Sequence, residues 1–235
     1  MRAKEFIVET SEDDHQLVIY SKELAEQLYR RTKSSLLNFV KSTSAKGLSV
    51  RIPNNTPVEK VINSLKYEVF PGSEENVIGG FHPPSFSITL HPKFFINLPS
   101  EQAILRIQNS LMHEIRHAVD HVMSSGACTG NLIDITQAAQ ISGNYNDYFG
   151  HPMEVNARYS QAVLLISKSL PSRDLKGLIL TTFNDNDLTA KFLGQKKFNH
   201  LVSRAYKFFS MYSENPPKVT QSWLDRAVKF IAGMI

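Results

Sequence analysis

Cysteine is almost missing from this sequence. The 235-residue chain has one, Cys128, so no disulfide can form within it and no thiolate cage can enclose a metal. Any metal site must draw on His, Asp and Glu. Long apolar runs are missing too. The opening MRAKEFIVETSEDDH lacks the ~7–15 apolar residues of a secretory signal, and no later stretch approaches the ~18 of a membrane span. The chain is therefore expected to be soluble and not exported by a classical signal, with no membrane partner. Basic charge is present but not concentrated. The 26 Lys and Arg against 22 Asp and Glu give a formal charge of +4, yet they are scattered and lack interleaved aromatics. That pattern describes a solvated surface, and no nucleic-acid partner is expected. With no internal repeat, low-complexity tract or polar linker, one domain over residues 1–235 is expected.

What is present begins with a polar leader over 1–20 and an approximate helical stripe from about Ser21 to Val40. Leu48, Val50 and Ile52 then alternate with Ser49 and Arg51 as a half-buried strand would, until Pro53 interrupts. Thr56-Pro57-Val58-Glu59 reads as a helix start, with Thr56 as N-cap and Glu59 as its capping-box partner, for a helix to about Leu65. Between Tyr67 and Pro99, Gly72, Gly79-Gly80 and Pro83-Pro84 punctuate an irregular region that leads into a strand, Phe86 to Leu90, ended by Pro92.

From Ser100 to Ser125 the period changes. Ile104, Ile107, Leu111, Ile115, Ala118 and Val122 recur at three and four residues, which predicts a helix capped by Ser100 and stopped by Gly126. A second helix should run from Pro152 towards Leu170, ahead of Pro171. The rest, 171–235, reads as mainly helical. It includes an amphipathic end, Trp223 to Ile231, with too few basic residues for a membrane anchor. The expected class is α+β, with a small, mostly antiparallel sheet packed on the central helix and a helical C-terminal part.

Inside the central helix lies His113-Glu114-Ile115-Arg116-His117, an H-E-x-x-H motif. Residues four apart sit about 6 Å apart along one helix face, so two imidazoles can converge on one ion at ~2.0–2.1 Å each. Glu114 projects beside them as the candidate general base for water activated by that ion. The two histidines point away from the apolar stripe, so they are not ordinary core histidines, although a solvated surface position would also satisfy the wheel.

A catalytic zinc takes three protein ligands and leaves a position for water, so a third ligand is needed. His121 would lie about 12 Å beyond His113 on an unbroken helix, too far to share the ion, and is expected to be packing or surface. Glu154 suits the role better. It falls in the first turn of the helix that begins at Pro152, where an acid is favourable in any case, and it completes a His-His-Glu set. Zn2+ is the expected cofactor. Asp120, three residues beyond His117, is a candidate to orient a ligand imidazole, with a plain surface acid as the alternative. Asn184-Asp185-Asn186-Asp187 lacks the glycine and terminal Glu of a calcium loop and reads as a turn. His82 and His91 flank the Phe86–Leu90 strand and are candidates to line a cleft.

At these residues the chain resembles the gluzincin branch of the zincin-like metallopeptidases, in which H-E-x-x-H on one helix is joined by a Glu on a following helix. The resemblance covers about Phe86 to Leu165, within an active-site core expected over 86–170. It implies a zincin-like fold in which an edge strand beside the active-site helix aligns a peptide or protein substrate. On that analogy Phe86 to Leu90 is the edge and Tyr148 stabilises the oxyanion, with Tyr145 and His151 competing for the latter role. Thermolysin-type relatives carry an Asp four residues after the ligand Glu, where this chain has Arg158. The opening MRAKEFIVE is similar to the start of many reading frames of tailed bacteriophages, which implies a bacteriophage source and either a host-cytoplasmic or a virion-associated protein. The function this implies is zinc-dependent hydrolysis of a peptide or other amide bond. Its competitor is a structural or interaction protein, such as a phage particle component, on an inactive zincin-like fold.

Overall fold

A computed structural model describes Ile19 and residues 48–49, 66–69, 78–84, 87–90, 100–123, 127–170 and 172–212. The expected helices Ser21–Val40 and Thr56–Leu65, the residues His91 and Gly126, and the amphipathic end Trp223–Ile231 lie outside the described residues.

Four short strands, β1 (Leu48–Ser49), β2 (Lys66–Val69), β3 (Gly79–His82) and β4 (Ser87–Leu90), form one sheet in the order β1-β2-β4-β3. β1 pairs antiparallel with β2, and β3 pairs antiparallel with β4, Gly79 facing Leu90 and His82 facing Ser87. The central pair, β2 and β4, is parallel, with Lys66 opposite Ser87 and Val69 opposite Leu90. The sheet is therefore mixed. The strand expected as its edge is an inner strand, because β2 has taken its second side. Three consecutive β4 residues, Ile88, Thr89 and Leu90, are buried, as a strand covered on both faces requires. β3 is the outer strand on that side among the described residues. Its Gly79 is there for space: a Cβ would stand 2.7 Å from the Thr89 carbonyl oxygen and 3.8 Å from Cγ of Glu114.

The central helix α1 spans Ser100–Met123 with Glu101 in its first turn. Ile107, Leu111, Ile115 and Ala118 are fully buried, but so are Met112 and Val119, which lie off that stripe. The stripe accounts for one face only. From Ser110 to Asp120 every residue except His113 is buried, because β3 and β4 cover one side of α1 and later helices cover the others.

Two helices follow, α2 (Ala127–Ser142) and the short α3 (Asn146–Gly150), and then α4 (Pro152–Lys168). α4 starts where the sequence places it. Pro152 occupies the first turn, and Nδ1 of His151 accepts from the Met153 N–H as an N-cap. One face of α4 lies along α1, where Ala157 and Ala162 have no exposed surface and allow close approach. Its other face carries Tyr159, with Phe183 5.9 Å away and the Arg204 guanidinium 4.5 Å over its ring. These come from α5 (Leu175–Asp185) and α7 (Gln195–Tyr212), with α6 (Ala190–Leu193) between them. Ile88 and Leu90 of β4, Ile107 and Ile115 of α1, Val163 and Ile166 of α4, Phe183 of α5 and Phe208 of α7 belong to one apolar core. The class is α+β, dominated by helices after the sheet. Among the described residues no helix is long and apolar enough to cross a membrane.

Candidate metal centre

α1 and α4 bring three sequence-predicted ligands together. Nε2 of His113 lies 3.0 Å from Nε2 of His117, and the Glu154 carboxylate meets both, Oε1 at 3.2 Å from His113 and Oε2 at 3.1 Å from His117. The imidazole rings stand nearly perpendicular, 4.6 Å between centroids, as one-turn spacing on a helix allows. A tetrahedral ion with bonds of ~2.0–2.1 Å needs ligand atoms about 3.3 Å apart; here each imidazole meets a different carboxylate oxygen, and one ligand atom from each residue lies within 4.8 Å of the others. Among the described residues they are the only group of three or more His, Cys, Asp and Glu whose ligand atoms converge in this way.

Burial makes the arrangement electrically demanding. Glu154 has no exposed surface, and His117 is 6% exposed. Burial is the largest influence on the Glu154 carboxyl and works to raise its pKa, but the charge and hydrogen bonds of His113 and His117 outweigh it and hold the group well below the ordinary carboxylate range. Burial likewise works to lower the pKa of His113, and Glu154 with Glu114 outweighs that and raises it. The pair is therefore an ionised carboxylate that draws positive charge to its neighbour. Among the described residues Nδ1 of His117 is buried without a hydrogen-bond partner, and Oε2 of Glu154 meets Nε2 of His117 at 3.1 Å. Two imidazole nitrogens and a carboxylate aimed at one another form a donor set of the kind that holds a divalent cation. The residues present could thus hold a divalent metal ion.

Around this cluster the other candidates sort themselves. Glu114 follows His113 on α1 and is buried, beside the β3 backbone at Gly79. Tyr148 of α3 is partly buried. Burial first, and then the Glu154 and Glu114 carboxylates, raise its pKa far above the ordinary value, so the phenol keeps its proton. Its rivals have other positions: Tyr145 is exposed, and His151 is the N-cap of α4, its pKa lowered mainly by burial. His121 stays apart from the ligands, with Nδ1 2.7 Å from Oγ1 of Thr129 and its ring 5.6 Å from that of Phe81. His82 is exposed, Nε2 3.0 Å from Oγ1 of Thr89.

Asp120 is not the orienting acid. Its Oδ1 accepts from Nε of Arg116 at 2.9 Å and its Oδ2 from Nδ2 of Asn156 at 3.2 Å, so the buried guanidinium has claimed it. Two residues that no motif singles out sit against the ligands instead. Oε1 of Gln161 is 3.0 Å from Nδ1 of His113. Nε of Arg158 donates to Oε1 of Glu154 at 3.2 Å, while Nη1 donates to Oδ2 of Asp187 at 2.9 Å and to the Asn186 carbonyl at 3.3 Å. The available signal was helical spacing, since Arg158 and Gln161 follow Glu154 by one and two turns on the same face. The Asn184–Asp187 segment is the end of α5 and its turn, with Asp187 in the left-handed region at φ 57°. No family, curated protein or solved structure matches this chain.

Proposed function

We propose that this chain is a zinc-dependent metallopeptidase-like hydrolase that cleaves a peptide or other amide bond. The observation that carries the reading is the convergence of His113, His117 and Glu154 within 3.0–3.2 Å, with Glu114, which ligates nothing, beside them. A zinc ion held by these three residues would supply Lewis acidity, drawing the pKa of a bound water towards ~7 and polarising a carbonyl. Glu114 accepts the proton of the attacking water and returns it to the departing amine. Tyr148, its phenol protonated, donates a hydrogen bond to the carbonyl oxygen as negative charge grows there. The outer strand β3 runs against Glu114 at Gly79, so an extended peptide added to that edge would carry its amides past the base.

A second reading has an observation of its own. Glu154 is fully enclosed and shares Oε1 with Arg158, as suits an ion that only joins two helices in a structural or phage-particle protein with an inactive zincin-like fold. Glu114 favours the hydrolase, since a purely structural site does not use a base.

The test is metal content by elemental mass spectrometry on protein purified without a metal-affinity tag, with Glu114→Gln assayed beside wild type on a peptide library. The hydrolase reading expects about one zinc per chain in both, hydrolysis in wild type, and its loss in Glu114→Gln. Zinc with no turnover in either leaves the structural reading, and no zinc after reconstitution removes the hydrolase reading and also leaves a structural or interaction protein.

A further inference from the structure

We propose that Gln161 is the positioning residue of the centre: it fixes the tautomer and ring orientation of His113 so that the Nε2 lone pair faces the ion. This rests on the zinc reading above and adds a residue outside the motif to it. A neutral imidazole carries its proton on one nitrogen, and a metal takes the other, so whatever accepts the remaining N–H decides which nitrogen is free.

The geometry identifies that acceptor. Gln161 places its amide oxygen 3.0 Å from Nδ1 of His113, while its amide nitrogen donates to the Asn109 carbonyl at 3.1 Å. The second bond sets the direction of the first. A backbone carbonyl only accepts, so the NH2 end must face Asn109 and the oxygen must face the imidazole. Nδ1 of His113 is therefore the donor, and Nε2 is left pointing at Glu154 and His117. Gln161 is itself held between α4 and α1, because His113 and Asn109 are one turn apart on α1 and Gln161 bridges both. His117 has no counterpart among the described residues, where its Nδ1 is without a hydrogen-bond partner. One candidate ligand ring is thus fixed from behind by an outer partner that the other lacks among the described residues.

The test compares zinc affinity in wild type, Gln161→Leu and Gln161→Glu by competition with a chromogenic chelator on the full chain. Leucine keeps the bulk and removes the acceptor. Glutamate keeps an acceptor for His113 but loses the donor to Asn109. Loss of an outer-shell partner weakens metal binding by ~10–100-fold, so Gln161→Leu is expected to fall in that range while Gln161→Glu stays within ~3-fold of wild type or binds more tightly.

Unchanged affinity in Gln161→Leu overturns the assignment. Equal losses in both variants also overturn it, because they place the role in the bridge to Asn109. Should Gln161→Leu fail to fold by circular dichroism, Gln161→Glu decides alone. Retained affinity with shifted visible bands of the cobalt-substituted protein supports the assignment, and a tenfold loss or unshifted bands refutes it. Wild type that takes up no zinc overturns the metal reading itself, and is distinguishable from a failure confined to Gln161.

Discussion

At Glu154 a carboxylate with no exposed surface stays ionised because two imidazoles and a guanidinium surround it. Removing one member of a buried ionic cluster leaves the others uncompensated, which costs about 3 kcal/mol or more. Glu154→Gln is therefore expected to lower the stability of the metal-free protein by that order, read as the urea midpoint, and to abolish stoichiometric zinc binding. An unchanged midpoint would mean that Glu154 is not held as an ion.

The same residues set a pH dependence. The Glu154 pKa is depressed from 4.5, so its contribution is present above that value and is lost as pH falls through the folded pKa. The His113 pKa is raised from 6.5, so its contribution is present below that value and is lost as pH rises through the folded pKa. Chelator-treated protein should thus gain stability from this pair in the weakly acidic range and lose it on either side. His113→Ala should remove the loss on the alkaline side. A urea midpoint of His113→Ala that follows wild type through neutral pH would contradict this.

At the scale of elements, the helices were legible where the pattern was local. The three-and-four spacing from Ile104 to Val122 announced α1, and Pro152 placed the start of α4. α2 was not announced. Ala127–Ser142 mixes Thr, Gly, Asn and Asp with apolar residues in no stripe and leaves Ile133 and Ile141 exposed. Sheet order was hidden for a different reason. Alternation in a strand shows which face is covered but not which distant segment pairs beside it, so the parallel partnership of Lys66–Val69 with Ser87–Leu90 left no mark. The candidate ligands were legible because one helical turn fixes two of them, whereas helical spacing put Arg158 and Gln161 on the face of Glu154 without showing which atoms of the ligand residues they meet.

Gly79 belongs to this scale. A Cβ there would meet the backbone oxygen of Thr89 at 2.7 Å, and backbone cannot step aside as a side chain can. Gly79→Ala is expected to cost ~1–3 kcal/mol by overpacking and to lift β3 from β4 beside Glu114. Hydrolysis should fall in this variant while zinc content stays at wild-type level. Wild-type stability in Gly79→Ala would show that β3 has room.

For the molecule as a whole, α1 and α4 carry the candidate ligands and also share one apolar core with β4, α5 and α7. Zinc bound by the folded state and not by the unfolded chain should stabilise that entire unit. Free zinc at 100 times its Kd adds about 2.7 kcal/mol. The thermal midpoint should therefore rise in one cooperative step, and His117→Ala should abolish the rise. A midpoint insensitive to zinc in wild type would separate the centre from the fold.

The Arg158 guanidinium divides its donors between Glu154 on one side and Asp187, half-exposed in a left-handed turn, on the other. A fragment ending at α4 would keep every ligand and the base, yet it would lose this second anchor. Arg158 would then compete undivided for Oε1, the atom that also faces His113. Asp187 is thus expected to act as a counterweight that would leave Glu154 available to an ion, and a fragment that keeps the centre in balance is expected to extend past α5.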